Sequence, residues 1–175
     1  DVALRKINSL LSAGAQVTAL APAFCAALRA RMHSALVLTT ATYDATALDA
    51  PWLVIAATND EAINHQIWRD ATERKLWVNV VDDPERCQFI FPSIVDRSPL
   101  IIAISSGGAA PVLARHWRET LEKQLPRWLG HFATLASAFR PMVKKTVNSV
   151  QQRRYVWERI FRGDASRLAA QGKWQ

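Results

Sequence analysis

The chain has 175 residues, half of them hydrophobic, which suits about one domain and excludes a mainly disordered chain. No apolar run approaches the ~20 residues of a membrane helix, and the two distant cysteines, Cys25 and Cys87, exclude a disulfide scaffold and fit a reducing cytoplasm. The net charge of the chain is +7, and residues 112–175 alone carry a net charge of +9. Such a basic segment indicates either an acidic partner or a solvated helical face.

Residues 1–83 alternate between helical and strand patterns. A first helix is predicted up to Gly14, and apolar runs predict the strands 16–21, 36–41, 52–58 and 77–82. Helices are predicted between them over 23–33 and 60–74, the second capped by Asn59 or Asp60. Unalternating runs such as WLVIAAT are typical of strands that are buried on both faces. The alternation predicts a doubly wound, Rossmann-like parallel sheet, whose first strand and glycine turn we expect to precede Asp1.

The pattern changes after Asp82. Two apolar runs, 88–91 and 100–106, have no helix between them and predict a strand pair outside the parallel sheet. From Pro111 onward the spacing predicts helices over 111–124, 127–147 and 150–162, followed by a frayed tail. The predicted fold class is therefore α/β: a Rossmann-like parallel sheet, then a strand segment, then an α-helical C-terminal domain.

Four segments carry a resemblance to a known family, in consistent order. They are DVALRK at the start, AATND at 56–60, NVVDDPERCQFIFPS at 79–93 and DRSPLIIAISSGGAAPVLAR at 96–115. Together they resemble the N-terminal region of siroheme synthase, the bifunctional precorrin-2 dehydrogenase and sirohydrochlorin ferrochelatase. The resemblance implies a Rossmann-like NAD-binding domain over 1–83, a dimerisation segment over 84–125 and a helical tetrapyrrole-binding domain over 126–175.

The resemblance also implies an activity in the cytoplasm. NAD-dependent oxidation of precorrin-2 gives sirohydrochlorin, and insertion of ferrous iron, here a substrate, then gives siroheme. Some family members continue into a methyltransferase that makes precorrin-2. The implied partners are a second copy of the chain and the tetrapyrrole, with neither nucleic acid nor membrane.

Asp82 is the predicted catalytic residue. It follows a buried strand on the carboxyl side, where open α/β sheets bind their ligands. The apolar neighbours Val80, Val81 and Phe89 are expected to raise its pKa and make it a better base. The residues alone also allow a turn cap before Asp83, but the resemblance places the essential acidic residue of the family at Asp82.

The predicted cofactor-binding residues follow the strand ends. By the resemblance, Asp1 and Val2 follow the glycine turn and face the dinucleotide, and Pro22 and Ala23 end the second strand near the adenosine ribose. No acidic residue stands there to bind a ribose hydroxyl, so the choice of NAD over NADP depends on the resemblance. Thr58 is expected near the pyrophosphate or nicotinamide ribose, the alternative being a hydroxyl that caps the next helix.

The predicted substrate-binding residues lie later in the chain. Ser105 and Ser106 precede two glycines in a small-residue loop that can hold an anion on backbone N–H groups or form an ordinary turn. The resemblance makes Ser106 a candidate phosphoserine. Arg115, Lys144 and Lys145 are the cations expected to meet the carboxylates of the tetrapyrrole.

No permanent metal site is expected, because the four histidines lack metal-ligand spacing. The alternative function is an NAD-sensing binding module with a basic helical tail that contacts nucleic acid. Tryptophans among basic residues are compatible with stacking on bases. However, Trp117, Leu121, Leu125 and Trp128 fall at helical spacing, which favours core packing.

Overall fold

The computed structural model describes residues 2–31 and 33–173, and its contacts divide the chain into two units, residues 1–90 and 91–175. Asp1 lies outside the described residues. The first unit has seven elements in the order expected for a βαβ fold: α1 (Val2–Ser12), β1 (Val17–Ala21), α2 (Ala26–Arg29), β2 (Leu36–Thr40), β3 (Leu53–Ala56), α3 (Glu61–Glu73) and β4 (Trp77–Val80). Short 3₁₀ turns occur at Ala45–Leu48 and Pro84–Arg86.

The strands of the first unit form two parallel pairs in the described residues. β1 pairs with β2 from Val17↔Leu36 onward, and β3 pairs with β4 from Leu53↔Trp77 onward. Each pair has its own hydrophobic core, and the members of these cores are Ile7, Leu11 and Leu28 for the first and Leu48, Val54, Ala56, Ile67, Ala71, Val78 and Val80 for the second. The parallel pairing agrees with the predicted α/β class.

Two details of the first unit correct the sequence analysis. β3 is not buried on both faces: Val54 and Ala56 are buried, but Leu53, on the opposite face, is 38% exposed. α2 is four residues long instead of spanning 23–33. Leu28 is its one buried residue, so a longer helix would gain little packing to stabilise it.

The start of α3 is as predicted. Asp60 is the N-cap, and its Oδ1 accepts hydrogen bonds from the backbone N–H groups of Ala62 (2.9 Å) and Ile63 (3.2 Å). Further along α3, buried Asp70 accepts a hydrogen bond from the Tyr43 hydroxyl (3.0 Å). Burial, and then the hydrogen bond and charge of Asp70, raise the pKa of Tyr43 to about 12.

The open edge of β4 is covered by residues 87–89, part of which the sequence analysis assigned to a strand. Gln88 donates its backbone N–H to Val78 O (2.9 Å), and its side-chain Oε1 accepts from Val78 N (3.1 Å). Asn79 donates from Nδ2 to Phe89 O (2.9 Å). Because side chains make most of these bonds, the segment is not a regular strand, and the prediction of a strand at 88–91 is wrong.

The second unit begins with an antiparallel hairpin of β5 (Ser93–Arg97) and β6 (Leu100–Ile104). The expected strand pair therefore exists, but its first member lies at 93–97, in the segment predicted to be the connection. Four helices follow: α4 (Pro111–Gln124), α5 (Trp128–Thr146), α6 (Val150–Arg162) and α7 (Asp164–Ala170), the last one in place of the expected frayed tail. None of the helices in the described part of the chain combines the length and apolarity needed to cross a membrane.

Arg97 connects the hairpin to the end of α4. Its guanidinium is buried and donates to Glu122 Oε1 (2.7 Å), to the backbone carbonyls of Glu122 and Leu125 (both 2.8 Å) and to Asp96 O (2.8 Å). Two of these acceptors are carbonyls at the C-terminal end of α4, which lack partners within the helix. Close by, a Cβ added to Gly130 of α5 would lie 2.6 Å from Ser98 O, so a glycine is required there.

Candidate functional site

Asp82 lies in the turn after β4, beyond the last residue of the strand. Asp83 donates its N–H to Val80 O (3.3 Å), which closes a turn around Val81 and Asp82. Asp82 has a φ of 61°, in the left-handed region that aspartate tolerates better than most residues. Its side chain is exposed, so the apolar neighbours Val80, Val81 and Phe89 do not bury the carboxylate. The turn presents the carboxylate at the carboxyl end of a parallel strand.

The adjacent carboxylate has a different role. Asp83 accepts hydrogen bonds from the Arg86 backbone N–H (3.3 Å) and from the Arg86 guanidinium, and it caps the short 3₁₀ turn that follows. Of the two neighbouring aspartates, Asp83 thus stabilises the loop, and Asp82 is the one that points its charge to solvent.

Lys6 on α1 is a residue that the sequence analysis missed. Burial lowers the pKa of its ammonium group, whereas the nearby Cys87 and Asp82 raise it. Lys6 therefore lies within electrostatic range of Asp82. No sequence signal identifies it, because a single lysine on an amphipathic helix has the same pattern as solvated charge.

Thr58 occupies the same sheet edge as Asp82. It follows β3 by two residues, as Asp82 follows β4, and Ala56 pairs with Val80 in the parallel ladder. The Thr58 hydroxyl is 2.8 Å from Asn64 Oδ1 and accepts from the Asp60 N–H (3.1 Å). The hydroxyl thus bonds within the loop before α3, whose N-cap is Asp60 and not Thr58, and contact with a cofactor stays a prediction.

The remaining predicted cofactor residues are exposed or half-buried. Pro22 and Ala23 are exposed and directly follow β1, and Val2 begins α1. The first turn of α1 has no acidic side chain and contains Arg5, so its N-terminal N–H groups suit a dinucleotide phosphate. No cluster of three or more histidine, cysteine or acidic side chains that could hold a metal occurs among the described residues.

The serine loop belongs to the second unit. Ser105 Oγ accepts from Gly107 N (3.1 Å), and Ser106 Oγ accepts from Ala110 N (2.9 Å), the residue before α4. Gly107 has a φ of 62°, which favours glycine. Both hydroxyls shape the loop, and anion binding or phosphorylation at Ser106 stays a prediction.

The predicted cations of the second unit are exposed. Arg115 is on α4, and Lys144 and Lys145 are in the last turn of α5, where the helix dipole favours positive charge. Trp117 is 50% exposed, so the expectation that it packs in the core is wrong. Like Arg115, it is an exposed residue of α4.

Three family matches follow one another along the chain. Residues 1–93 match the family described as "Putative NAD(P)-binding", residues 97–124 match "Sirohaem biosynthesis protein central", and residues 128–175 match "Sirohaem synthase dimerisation region". The sequence analysis placed dimerisation at 84–125, whereas the family region with that description is 128–175. The three-domain division of the chain stays a prediction.

Individual relatives agree with the family matches. The chain is 47% identical to the siroheme synthases of Photobacterium profundum and Photorhabdus laumondii, over all of its own length but only 38% and 37% of theirs. In fold it is similar to SirC, a precorrin-2 dehydrogenase, with a TM-score of 0.73 over 91% of this chain and 79% of that one, at 22% identity. The chain belongs to the siroheme synthase family and corresponds to its N-terminal, NAD(P)-binding region.

Proposed function

We propose that the chain provides the NAD-dependent precorrin-2 dehydrogenase and sirohydrochlorin ferrochelatase of a siroheme synthase. The observation that carries the proposal is the exposed carboxylate of Asp82 at the carboxyl edge of β3 and β4, in a chain that resembles siroheme synthases from end to end. Parallel strands of this fold class bind their ligands at that edge. The chain spans 38% of the length of such a relative, so the proposal concerns the activity of a longer protein that contains this chain.

The chain supplies binding and proton transfer for the oxidation. NAD, when bound, takes up a hydride from precorrin-2. The N-terminal turn of α1, beginning at Val2, and the segment after β1 at Pro22 and Ala23 would hold the dinucleotide, with Thr58 at the same edge as Asp82. Asp82 accepts the proton that must leave together with the hydride, which conserves both electrons and charge. Lys6 lies within electrostatic range of that carboxylate.

The second unit is proposed to hold the tetrapyrrole. Precorrin-2 carries several acetate and propionate groups, so a surface with a positive balance attracts it. Arg115, Lys144 and Lys145 are exposed and therefore able to meet those carboxylates. By contrast, Arg154 is paired with Glu158 (2.8 Å) on its own helix. Ferrous iron enters the product as a substrate: the nitrogens of sirohydrochlorin bind it and release their N–H protons.

An absorbance assay tests the proposal. The full protein that carries this chain, given precorrin-2 and NAD, should form sirohydrochlorin with equimolar NADH, and added ferrous iron should then produce the siroheme spectrum. If precorrin-2 is not consumed and the protein instead retards a DNA fragment, the alternative of an NAD-sensing nucleic-acid-binding module is correct.

The proposed assembly is a homodimer. The family match to a dimerisation region supports a dimer, and the second unit exposes apolar side chains that a partner would cover. They include Ile101 (58%), Val112 (68%), Trp117 (50%), Phe139 (53%) and Met142 (57%). Light scattering at micromolar concentration should give twice the chain mass, and a monomer would contradict the proposal.

The proposed site of action is the cytoplasm, and the two free cysteines are compatible with it.

A further inference from the structure

The thiol of Cys87 lies inside the loop that carries Asp82. Its Sγ accepts hydrogen bonds from Val80 N (3.3 Å) and from Asn79 Nδ2 (3.2 Å). The same Sγ lies 3.1 Å from two acceptors, Val80 O and Asp83 O, between which its single proton is shared. One side chain thus bonds to the backbone on both sides of the turn formed by Val81 and Asp82.

The bonds between the thiol and Val80 lie on the edge of β4 opposite β3, where a neighbouring strand would otherwise pair. Val80 is the last residue of β4 and is 3% exposed. On its open edge its N–H donates to the Cys87 thiol, and its carbonyl accepts from the thiol and from the Asp83 N–H. A buried backbone group without a hydrogen-bond partner destabilises the folded state. At the end of β4, from which the turn departs, the thiol therefore supplies the partner of the Val80 N–H and a second donor to the Val80 carbonyl.

Asn79 orients the thiol from the other side. It is 5% exposed and uses Nδ2 to donate both to Cys87 Sγ and to Phe89 O. Because a carbonyl can only accept, the contact with Phe89 O fixes which end of the amide faces the thiol. Its Oδ1 has no hydrogen-bond partner among the described residues, so the two donor contacts are what hold this buried amide in place.

We propose that Cys87 is a positioning residue for Asp82. The inference depends on the proposed function, because only a reacting carboxylate gives the geometry of this turn a kinetic consequence. Asp82 has a positive φ, a conformation that persists when the surroundings determine it. The thiol adds to the backbone bond between Asp83 and Val80 in holding the turn, through its contacts with the carbonyls of both residues. A displacement of about 1 Å at a reacting group can reduce the rate by about 100-fold.

Three variants of the full protein test the inference. Cys87→Ala removes every bond of the thiol, and Cys87→Ser keeps a donor and an acceptor. Cys25→Ala is the matched control, since Cys25 is exposed and its side chain makes no cap hydrogen bond at α2. We expect Cys87→Ala to lower kcat for precorrin-2 oxidation by about 10- to 100-fold. KM for NAD should stay close to that of the parent, Cys87→Ser should recover most of the loss, and Cys25→Ala should match the parent.

A kcat of Cys87→Ala within about threefold of the parent would overturn the inference, because misplacement of the base costs more than that. Equal losses in Cys87→Ala and Cys87→Ser would also overturn it, since the hydrogen bonds would then not be responsible. If Cys87→Ala does not fold, Cys87→Ser is the deciding variant. A kcat above about a tenth of the parent value supports the inference, and a kcat below it overturns the inference.

Hydrogen exchange separates this inference from the proposed function. The amide of Val80 donates to the thiol, so in Cys87→Ala it should exchange faster than in the parent, and Cys25→Ala should not change it. If the parent fails to oxidise precorrin-2, the proposed function is wrong, whereas an unchanged exchange rate of Val80 shows that the thiol does not hold the turn.

Discussion

Replacing Asp82 by asparagine is the most direct test of the proposed base. The side chain is exposed and the φ of 61° is one that asparagine adopts as readily as aspartate, so we expect the free energy of unfolding to change by less than about 0.5 kcal/mol. Alanine is a poorer probe, because a residue without a polar side chain in this left-handed conformation loses about 1–2 kcal/mol. The Asn variant keeps the shape and removes the proton affinity.

The expected effect on catalysis is much larger than the effect on folding. Loss of a positioned general base costs about 10²–10⁴-fold in rate, or about 3–5 kcal/mol of activation free energy. NADH formation from precorrin-2 and NAD measures this loss, while NAD affinity should be unchanged because Asp82 is not among the residues proposed to hold the dinucleotide. Chelation of ferrous iron by supplied sirohydrochlorin should be measured separately.

Asp83→Asn is the matched control for Asp82→Asn. It removes a carboxylate one residue away, but one that is bonded to Arg86 and caps the following 3₁₀ turn. It should lower stability by about 1 kcal/mol and leave most of the turnover. Turnover of Asp82→Asn within about threefold of the parent, or a loss as large in Asp83→Asn, would refute the assignment and make Asp82 a turn residue only.

Three further predictions concern other parts of the chain. The folded state raises the pKa of Tyr43 from 10.0 to about 12, so the unfolded chain loses the phenol proton at lower pH than the folded chain does. The free energy of unfolding should therefore fall as pH rises between these two values. Urea denaturation midpoints measured across this pH range should fall less in Tyr43→Phe than in the parent. Gly130→Ala, which in most helices stabilises, should here destabilise by about 1–3 kcal/mol in urea denaturation because the new Cβ meets backbone. Replacing Lys144 and Lys145 by glutamate should raise KM for precorrin-2 more than KM for NAD. Arg154→Gln is the control, because Arg154 is already paired with Glu158. Equal effects on both KM values would show that the two lysines do not contact the substrate.

The sequence predicted elements that have a strong local signal. α3 and its Asp60 cap, the paired strands β3 and β4, and the long helices of the second unit all follow from apolar spacing and capping residues. The same signal could not place the first strand of the hairpin. The apolar run at 88–91 is at the edge of β4, and its bonds there are made by side chains, which leave no periodic pattern.

The candidate site was predicted in part. Asp82 and Thr58 were expected at one sheet edge, and the parallel register of β3 and β4 puts them there. The left-handed backbone of Asp82 and the thiol that contacts its turn could not be predicted, because both depend on contacts between residues that no periodicity relates. Lys6 was missed because a single lysine in an amphipathic helix has no pattern that distinguishes it from solvated charge.

The side-chain cover on the edge of β4 also bears on solubility. An exposed strand edge presents N–H and carbonyl groups that can pair with a strand of another molecule and begin edge-to-edge aggregation. Here Gln88 and Cys87 occupy the N–H groups of Val78 and Val80 with their own side chains. A foreign strand would have to displace these intramolecular bonds before it could pair. The short irregular segment that ends the first unit therefore protects a hydrophobic strand from adding to another chain.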